Sequence, residues 1–495
     1  MLNHLPILQV ILPLLAAPTC LLLKEARLAW AFTTACCMAT LAISVMLLLQ
    51  VIDSGVIVYS LGGWQAPIGI EYRIDSLNAF VMVLVSGLSS AVILAARESV
   101  AKEVGADKQV LFYIAYLLCF AGLLGICATG DAFNVFVFLE ISSLSAYTLI
   151  ALGSDRRALW AAYQYLIMGT IGATFILIGI GMIYMMTGTL NMHDLAERLP
   201  EAAHTKTVFT AFTFIIIGTC LKLALFPLHL WLPNAYAYSP SIVSAFMAAT
   251  ATKVAVYVLI RFVFSVFGVD FSIDHMPLQQ ILLVLSLIGI VWVSIVAIYQ
   301  TNLKKLLAYS SVAQIGYIIL GFSVGTVLGL QASLIHLFNH ALMKGALFLA
   351  IAGVVYRIGG CEFSQLSGIG KKMPWTMAAV VVGGLSLIGV PLTTGFVSKW
   401  YLVSALIEAG WWPAVAVVML GSLLAVIYVW KVVEVAYFGS PEDGYEGAYE
   451  VKEAPLSILI PTWMLAASNI YFGIDTRFTS TIGHLASQTL FGAGS

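Results

Sequence analysis

Long apolar runs, separated by short polar or Gly/Pro-rich breaks, recur from one end of this sequence to the other. Most runs hold about 18 residues or more, the length a helix needs to cross the roughly 30 Å hydrocarbon core of a bilayer. Breaking the pattern at charged and Gly/Pro-rich stretches predicts spans near 5–23, 29–51, 75–96, 110–128, 131–152, 163–187, 207–230, 240–267, 278–300, 304–324, 328–352, 376–408, 412–438 and 455–473. The expected fold class is all-α, a polytopic membrane protein of about 14 transmembrane helices. The first run, Leu5 to Leu23, reads as a retained span, because a secretory signal is a single short run ending at a small-residue cleavage site.

The polar positions between the spans set the expected orientation. Alternate loops carry thirteen basic residues: Lys24, Arg27, Arg97, Lys102, Lys108, Arg156, Arg157, Lys304, Lys305, Arg357, Lys371, Lys372 and Lys452. The opposite loops and the C-terminal tail hold only Arg73, Arg198, Lys206 and Arg477. The positive-inside rule therefore places both termini outside the cytoplasm. Six basic residues are left inside predicted spans: Lys222, Lys253, Arg261, Lys344, Lys399 and Lys431, together with Glu140 and Glu434.

Composition sharpens this picture and excludes several function classes. Of 495 residues, 61% are hydrophobic and 9% charged, against about 25% charged in soluble domains. The formal net charge of −1 offers no field to steer a nucleic acid. The seven cysteines lie mostly in apolar spans with no CxxC spacing and read as small core residues. No phosphate-binding loop and no ligand cluster for haem, iron–sulfur or zinc is present, so no cofactor or metal is expected and energy must come from an ion gradient or a partner. The acidic connection "GSPEDGYEGAYEVKEAP" (439–455) reads as a solvated loop.

The buried charges demand a reason, since a charged side chain at the bilayer centre costs roughly 2.5–3.5 kcal/mol or more. In "CLKLALFPLHLWLPNAYAYSP", Lys222 is followed by Pro227, which removes a backbone donor and breaks the helix in mid-membrane. Such backbone is tolerated only where protein or a water-filled cavity surrounds it, and broken helices are where transporters build ion sites. A second break falls in "LIGVPLTTGFVSKWYLVSAL", where Pro391 precedes Lys399. The two breaks predict two internal repeats, each with a Pro-broken helix, in the arrangement 1–109, 110–267, 278–438 and 455–495: three leading helices, first repeat, second repeat, last helix and tail. Chance recurrence of Pro and Lys is the competing reading.

Glu140, in "DAFNVFVFLEISSLSAYTLI", must protonate or find a cation on another helix, and Lys222 is its candidate partner. Such a pair is either a fixed structural bridge or a switch: drawing Glu140 away lets the desolvated lysine release its proton. Each pKa unit moved corresponds to about 1.36 kcal/mol, and a charge crossing 100 mV to about 2.3 kcal/mol, so shifts of a few units match physiological driving forces. In "HLFNHALMKG", His336, His340 and Lys344 lie at i, i+4, i+8 on one helix face. Zinc lacks a third ligand there, leaving a hydrogen-bonded core pair or a proton relay, which imidazole suits. Lys253 lies among small residues that permit close helix approach and bridges Lys222 to the histidines in the relay reading. Arg261 reads as a snorkelling side chain, and Lys431 and Glu434, at i and i+3, as a local pair or the end of a proton path.

Four segments, "KLALFPLHLWLPNAYAYSPSIVSAFMAATATKVAVYVLIR", "LLAYSSVAQIGYI", "LIHLFNHALMKGALFLA" and "GVPLTTGFVSKW", give the chain a clear likeness. It resembles, over nearly its whole length, the antiporter-like membrane subunits shared by respiratory complex I, membrane-bound hydrogenases and Mrp-type sodium/proton antiporters. With "YSLGGWQAPIGIEYRIDSLNAF" and Lys399 it looks most like the D-type branch of the Mrp antiporter subunits. The resemblance implies an ion path through Glu140, Lys222, Lys253, His336 or His340, and Lys399; Asn234 departs from it, standing where many relatives carry aspartate. The acidic connection lacks the long lateral helix of some relatives, which fits an inner subunit.

The resulting expectation is a secondary transporter subunit in a bacterial inner membrane, both termini periplasmic, moving protons for a multisubunit sodium/proton antiporter. Its partners are other subunits of a hetero-oligomeric complex, protons and sodium, and the bilayer. The alternatives are a proton-pumping module of a redox-driven complex and a passive structural subunit; the row of buried charges argues against the last.

Overall fold

The computed structural model describes residues 2–439 and 451–492. The protein is a polytopic all-α membrane protein: among the described residues, thirteen helices are long and apolar enough to cross a bilayer. The first are α1 (Leu5–Thr19), α2 (Ala26–Ser54), α3 (Ser76–Glu103), α4 (Gln109–Ala128), α5 (Ala132–Ala151) and α6 (Arg156–Thr187). The predicted span 376–408 is filled by two half-helices, α15 (Pro374–Ile388) and α16 (Thr394–Glu408). Of the connection 439–455, residues 440–450 lie outside the described residues. At its end, Glu453 accepts the Trp375 N–H at 2.8 Å and the Thr376 N–H at 3.3 Å, placing a carboxylate on the positive N-terminus of α15.

Three elements escape a hydropathy pattern. An antiparallel hairpin, β1 (Ile57–Ser60) with β2 (Glu71–Ile74), pairs Ile57 with Ile74 and leads into α3. Helix α7 (Met192–Ala202) buries Met192, Leu195 and Leu199 and is too short and polar to register as a span. Helix α19 (Arg477–Gly492) folds back in what reads as a tail. Cap chemistry starts several of the helices; thus Asp75 accepts the N–H groups of Leu77 and Asn78 in a capping box for α3, and Asn191 accepts those of His193 and Asp194 for α7.

Helix breaks shape the interior. Helix α8 (Lys206–Leu223) ends in Ala224, at φ 60, and the chain turns through Pro227 before α9 (Trp231–Tyr238). Between α15 and α16, Gly389 and Leu392 adopt φ 90 and φ 70 on either side of Pro391. A third break carries no proline or glycine: α10 (Ser241–Ala249) and α11 (Ala251–Ile260) are separated at Thr250, whose hydroxyl donates to the Phe246 carbonyl at 2.7 Å. That back-bond competes with the helical ladder. Helix α11 then relaxes into a π-helical turn over Arg261–Val266, a feature that recurs at functional sites.

The later helices are α12 (Leu278–Ile298), α13 (Leu303–Ser323), α14 (Val327–Ile358), α17 (Trp412–Val433) and α18 (Leu456–Ile474). Helix α14 is the hub, buried from Gly329 to Val354 and packed against α3, α10, α13, α15, α16, α18 and α19. Helices α6 and α8 pack closely at Gly172 and Gly218, where a Cβ on Gly218 would stand 2.5 Å from the Gly172 carbonyl oxygen. This contact lies one turn from Lys222 and sets its depth.

Candidate functional site

Lys222 occupies the last turn of α8, at the negative end of the helix dipole created by the break. Its Nζ stands 3.6 Å from Glu140 Oε1 and donates to Ser143 Oγ at 2.8 Å. Glu140 and Ser143 are one turn apart on α5, so one helix presents both partners. The lysine side chain is 4% exposed and the glutamate 26%, so the pair opens toward the perimeter on the carboxylate side. Around it, Trp231 Nε1 caps the Leu221 carbonyl at 3.0 Å and its ring stacks on Tyr165 with centroids 3.9 Å apart. Asn234 donates to Gln164 Oε1 at 2.8 Å.

Lys253 lies beside the Thr250 break, fully enclosed, with its ammonium on the Ala248 carbonyl that the break releases. The half-helix α10 that precedes it packs against α14, which carries His336, His340 and Lys344. Among the described residues no hydrogen bond or ion pair joins Lys222 to Lys253.

On α14 the three polar residues share one face. Gln314 Oε1 contacts His336 Nε2 at 3.0 Å; because that oxygen only accepts, this amide orientation puts the imidazole proton on Nε2 and leaves Nδ1 to accept from Ser398 Oγ at 2.8 Å. The His340 ring lies parallel to it, with centroids 6.2 Å apart and 8° between planes, and neither of its nitrogens has a hydrogen-bond partner among the described residues. Lys344 donates to the Leu307 carbonyl at 2.9 Å and to Ser310 Oγ, both on α13.

Lys399 completes the row. Its ammonium donates to the carbonyls of Leu387 at 2.9 Å and Ile388 at 2.8 Å and to Ser422 Oγ at 2.9 Å, and sits 4.9 Å from the Tyr317 ring centroid. Those carbonyls end half-helix α15, so a second lysine is held at the negative end of a broken helix, with no carboxylate paired to it among the described residues. Ser398, the hydroxyl on His336, is its neighbour in sequence. Lys253, His336, His340, Lys344 and Lys399 thus form one buried row, while Glu140 and Lys222 form a separate pair.

Two expectations are corrected. Arg261 does not snorkel: its guanidinium forks onto Asp75, with Nη1 to Oδ2 at 2.7 Å and Nη2 to Oδ1 at 3.0 Å. Lys431 does not pair with Glu434; it donates to the Ile298 and Gln300 carbonyls at 2.8 and 2.9 Å, capping α12 where the dipole favours a cation. Sequence reasoning also missed Ser143, Gln314, Tyr317, Ser398 and Ser422, ordinary polar residues singled out only by the partners that folding brings to them. Lys304, assigned to a basic loop, is buried and donates to the Ser239 carbonyl at 3.1 Å.

Comparisons with known proteins agree with this architecture. The family profile described as "NADH:quinone oxidoreductase/Mrp antiporter, TM" matches residues 129–425. The chain is 44% identical over 483 residues to the N subunit of NADH-quinone oxidoreductase from Desulforudis audaxviator, covering 95% of this chain and 96% of that protein. It is 27% identical over 489 residues to the D subunit of the Na(+)/H(+) antiporter from Bacillus subtilis, covering 99% and 97%. Among solved structures, a chain of the Mrp complex from Dietzia sp. superposes with a TM-score of 0.89 at 25% identity, covering 99% of this chain and 97% of that one. A chain of the membrane-bound sulfane sulfur reductase, an archaeal respiratory membrane complex, superposes with the same TM-score, 0.89, at 30% identity, covering 99% and 98%.

Proposed function

The chain belongs to the NADH:quinone oxidoreductase/Mrp antiporter transmembrane family, and on that premise we propose that it is a proton-translocating subunit of a multisubunit sodium/proton antiporter in a bacterial plasma membrane, with both termini periplasmic. The observation that carries this reading is the Lys222 ammonium, enclosed at the end of a broken helix and balanced, among the described residues, by Glu140 alone. With Glu140 near, the charged lysine is favoured; with Glu140 withdrawn toward another cation, desolvation expels the proton. The proton passes along Lys253, His340 and His336 toward Lys344 or Lys399, the two repeats 110–267 and 278–438 each supplying one half-channel. Water carries the step between Lys222 and Lys253, which share no direct contact. Other subunits of the complex supply the remaining path and the sodium coupling, so the chain is a transporter subunit rather than an enzyme in its own right.

A second reading rests on the 44% identity to an NADH-quinone oxidoreductase subunit and the 0.89 superposition on a sulfane sulfur reductase chain. In it the same relay pumps protons for a redox-driven complex whose electron chemistry lies in other subunits. The purified assembly in proteoliposomes separates the two. An imposed sodium gradient that moves protons without any reductant supports antiport; proton movement only on addition of a reductant supports the redox-driven pump.

A further inference from the structure

A cavity of about 810 Å³ opens beside β1/β2, α7 and α19, at the end of α11. Arg73, His193, Glu197 and Asp270 supply its polar lining, and Asp75, Arg261 and Tyr257 line it too. Asp75 and Arg261 are 14% and 12% exposed, and they close on each other through the two-pronged contact described above. Behind them the hydrogen bonds continue inward. Arg261 Nε donates to Tyr257 Oη at 3.2 Å, and Tyr257 Oη donates to the Cys127 carbonyl at 3.1 Å. Lys253, Tyr257 and Arg261 are spaced i, i+4, i+8, so one helix face runs from the buried row to the cavity.

The proton row described above makes no use of this pair. A buried ion pair is weak evidence for stability, because desolvation offsets most of the attraction. Its position between a polar stripe and a large cavity suits a different role. Resting on the transport reading above, we propose that the cavity is an aqueous vestibule through which a small hydrated monovalent cation, proton or sodium, reaches Lys253 from the face bearing the hairpin. The Asp75–Arg261 pair closes its inner end. Glu197 and Asp270 at the rim concentrate cations there. When Arg261 swings from Asp75, the freed carboxylate receives the cation and Tyr257 relays the proton to Lys253.

Native thiols report on this closure without any transport assay. Cys127 is fully buried behind the pair, and Cys119 lies two turns further along α4, also buried. The test uses the intact assembly in sealed vesicles, with Cys20, Cys36, Cys37, Cys220 and Cys361 replaced by alanine and a small membrane-impermeant cationic methanethiosulfonate added on the hairpin face. The expected result is slow labelling of Cys127 in the parent, a severalfold faster rate in Arg261→Gln and in Asp75→Asn, and Cys119 unlabelled throughout. An unchanged Cys127 rate in both variants overturns the proposal, as does a filled cavity that keeps the reagent out. Labelling of Cys119 in step with Cys127 means that the pair holds the fold together, and overturns it equally. Absence of sodium–proton exchange in the parent assembly would remove the antiporter reading while leaving the labelling result to stand by itself.

Discussion

Lys222 Nζ lies 3.6 Å from Glu140 Oε1 across the α5–α8 interface, and its direct hydrogen bond goes instead to Ser143 at 2.8 Å. The ammonium is therefore held by a neutral hydroxyl and attracted by a carboxylate it does not grip. A carboxylate at this distance can leave without breaking a hydrogen bond to the lysine, whereas the fork between Arg261 and Asp75 must break two. Loose pairing at one site and tight pairing at the other give the two ion pairs different tasks.

Lys399 offers a sharp test of charge against geometry. Its ammonium converges on two carbonyls and a hydroxyl at 2.8–2.9 Å, a cradle for a compact point charge. A planar guanidinium fork does not fit it. Lys399→Arg, which keeps the charge, is expected to lose exchange in the assembled complex by about tenfold or more, equivalent to about 1.4 kcal/mol or more. Wild-type exchange in assembled Lys399→Arg vesicles would show that charge alone suffices.

The Gln314–His336–Ser398 chain fixes one imidazole tautomer. Ser398→Ala removes the hydroxyl that meets Nδ1 and that also lies within reach of the Gly395 and Thr394 carbonyls at 3.2 and 3.4 Å, a hydrogen bond being worth about 1 kcal/mol net. The expected outcome is a slightly lower unfolding temperature for the purified complex together with a larger fall in exchange, because Nδ1 loses the hydroxyl that connects it to the Lys399 helix. Equal, small losses in both measurements would mark Ser398 as structural only.

Gly218 is required for close approach rather than for flexibility. A Cβ there meets the Gly172 carbonyl at 2.5 Å and the Ile176 backbone nitrogen at 3.0 Å. Gly218→Ala must push α8 from α6, at roughly 1–3 kcal/mol for such overpacking, and displaces Lys222 one turn away. Thermal unfolding and exchange should both fall; a variant as stable and active as the parent would show that α8 slides without consequence.

Most of the span pattern was legible because bilayer thickness imposes a length on every crossing helix. The breaks at Pro227 and Pro391 were legible because proline cannot continue the ladder. The break at Thr250 was not, since it depends on a hydroxyl back-bond in a run with ordinary helical composition. The Glu140–Lys222 pairing could be inferred from two opposite buried charges needing each other. Arg261 escaped because a snorkelling end explained it locally, and Asp75 because nothing in its own stretch of sequence points to a partner on a helix 186 residues away. Lys431 shows the converse: its sequence neighbour Glu434 is the obvious partner, yet the open carbonyls of α12 lie closer to its ammonium. Long-range placement, which no local pattern encodes, decided these cases.

The most direct test of the central claim is sodium-dependent proton exchange in inverted vesicles carrying the whole assembly, comparing the parent with Glu140→Ala and Lys222→Ala and checking assembly on native gels. Both variants are expected to assemble and to lose exchange. Sustained exchange in an assembled Lys222→Ala complex would contradict the account, reducing Lys222 to a structural counter-ion and moving the proton path elsewhere.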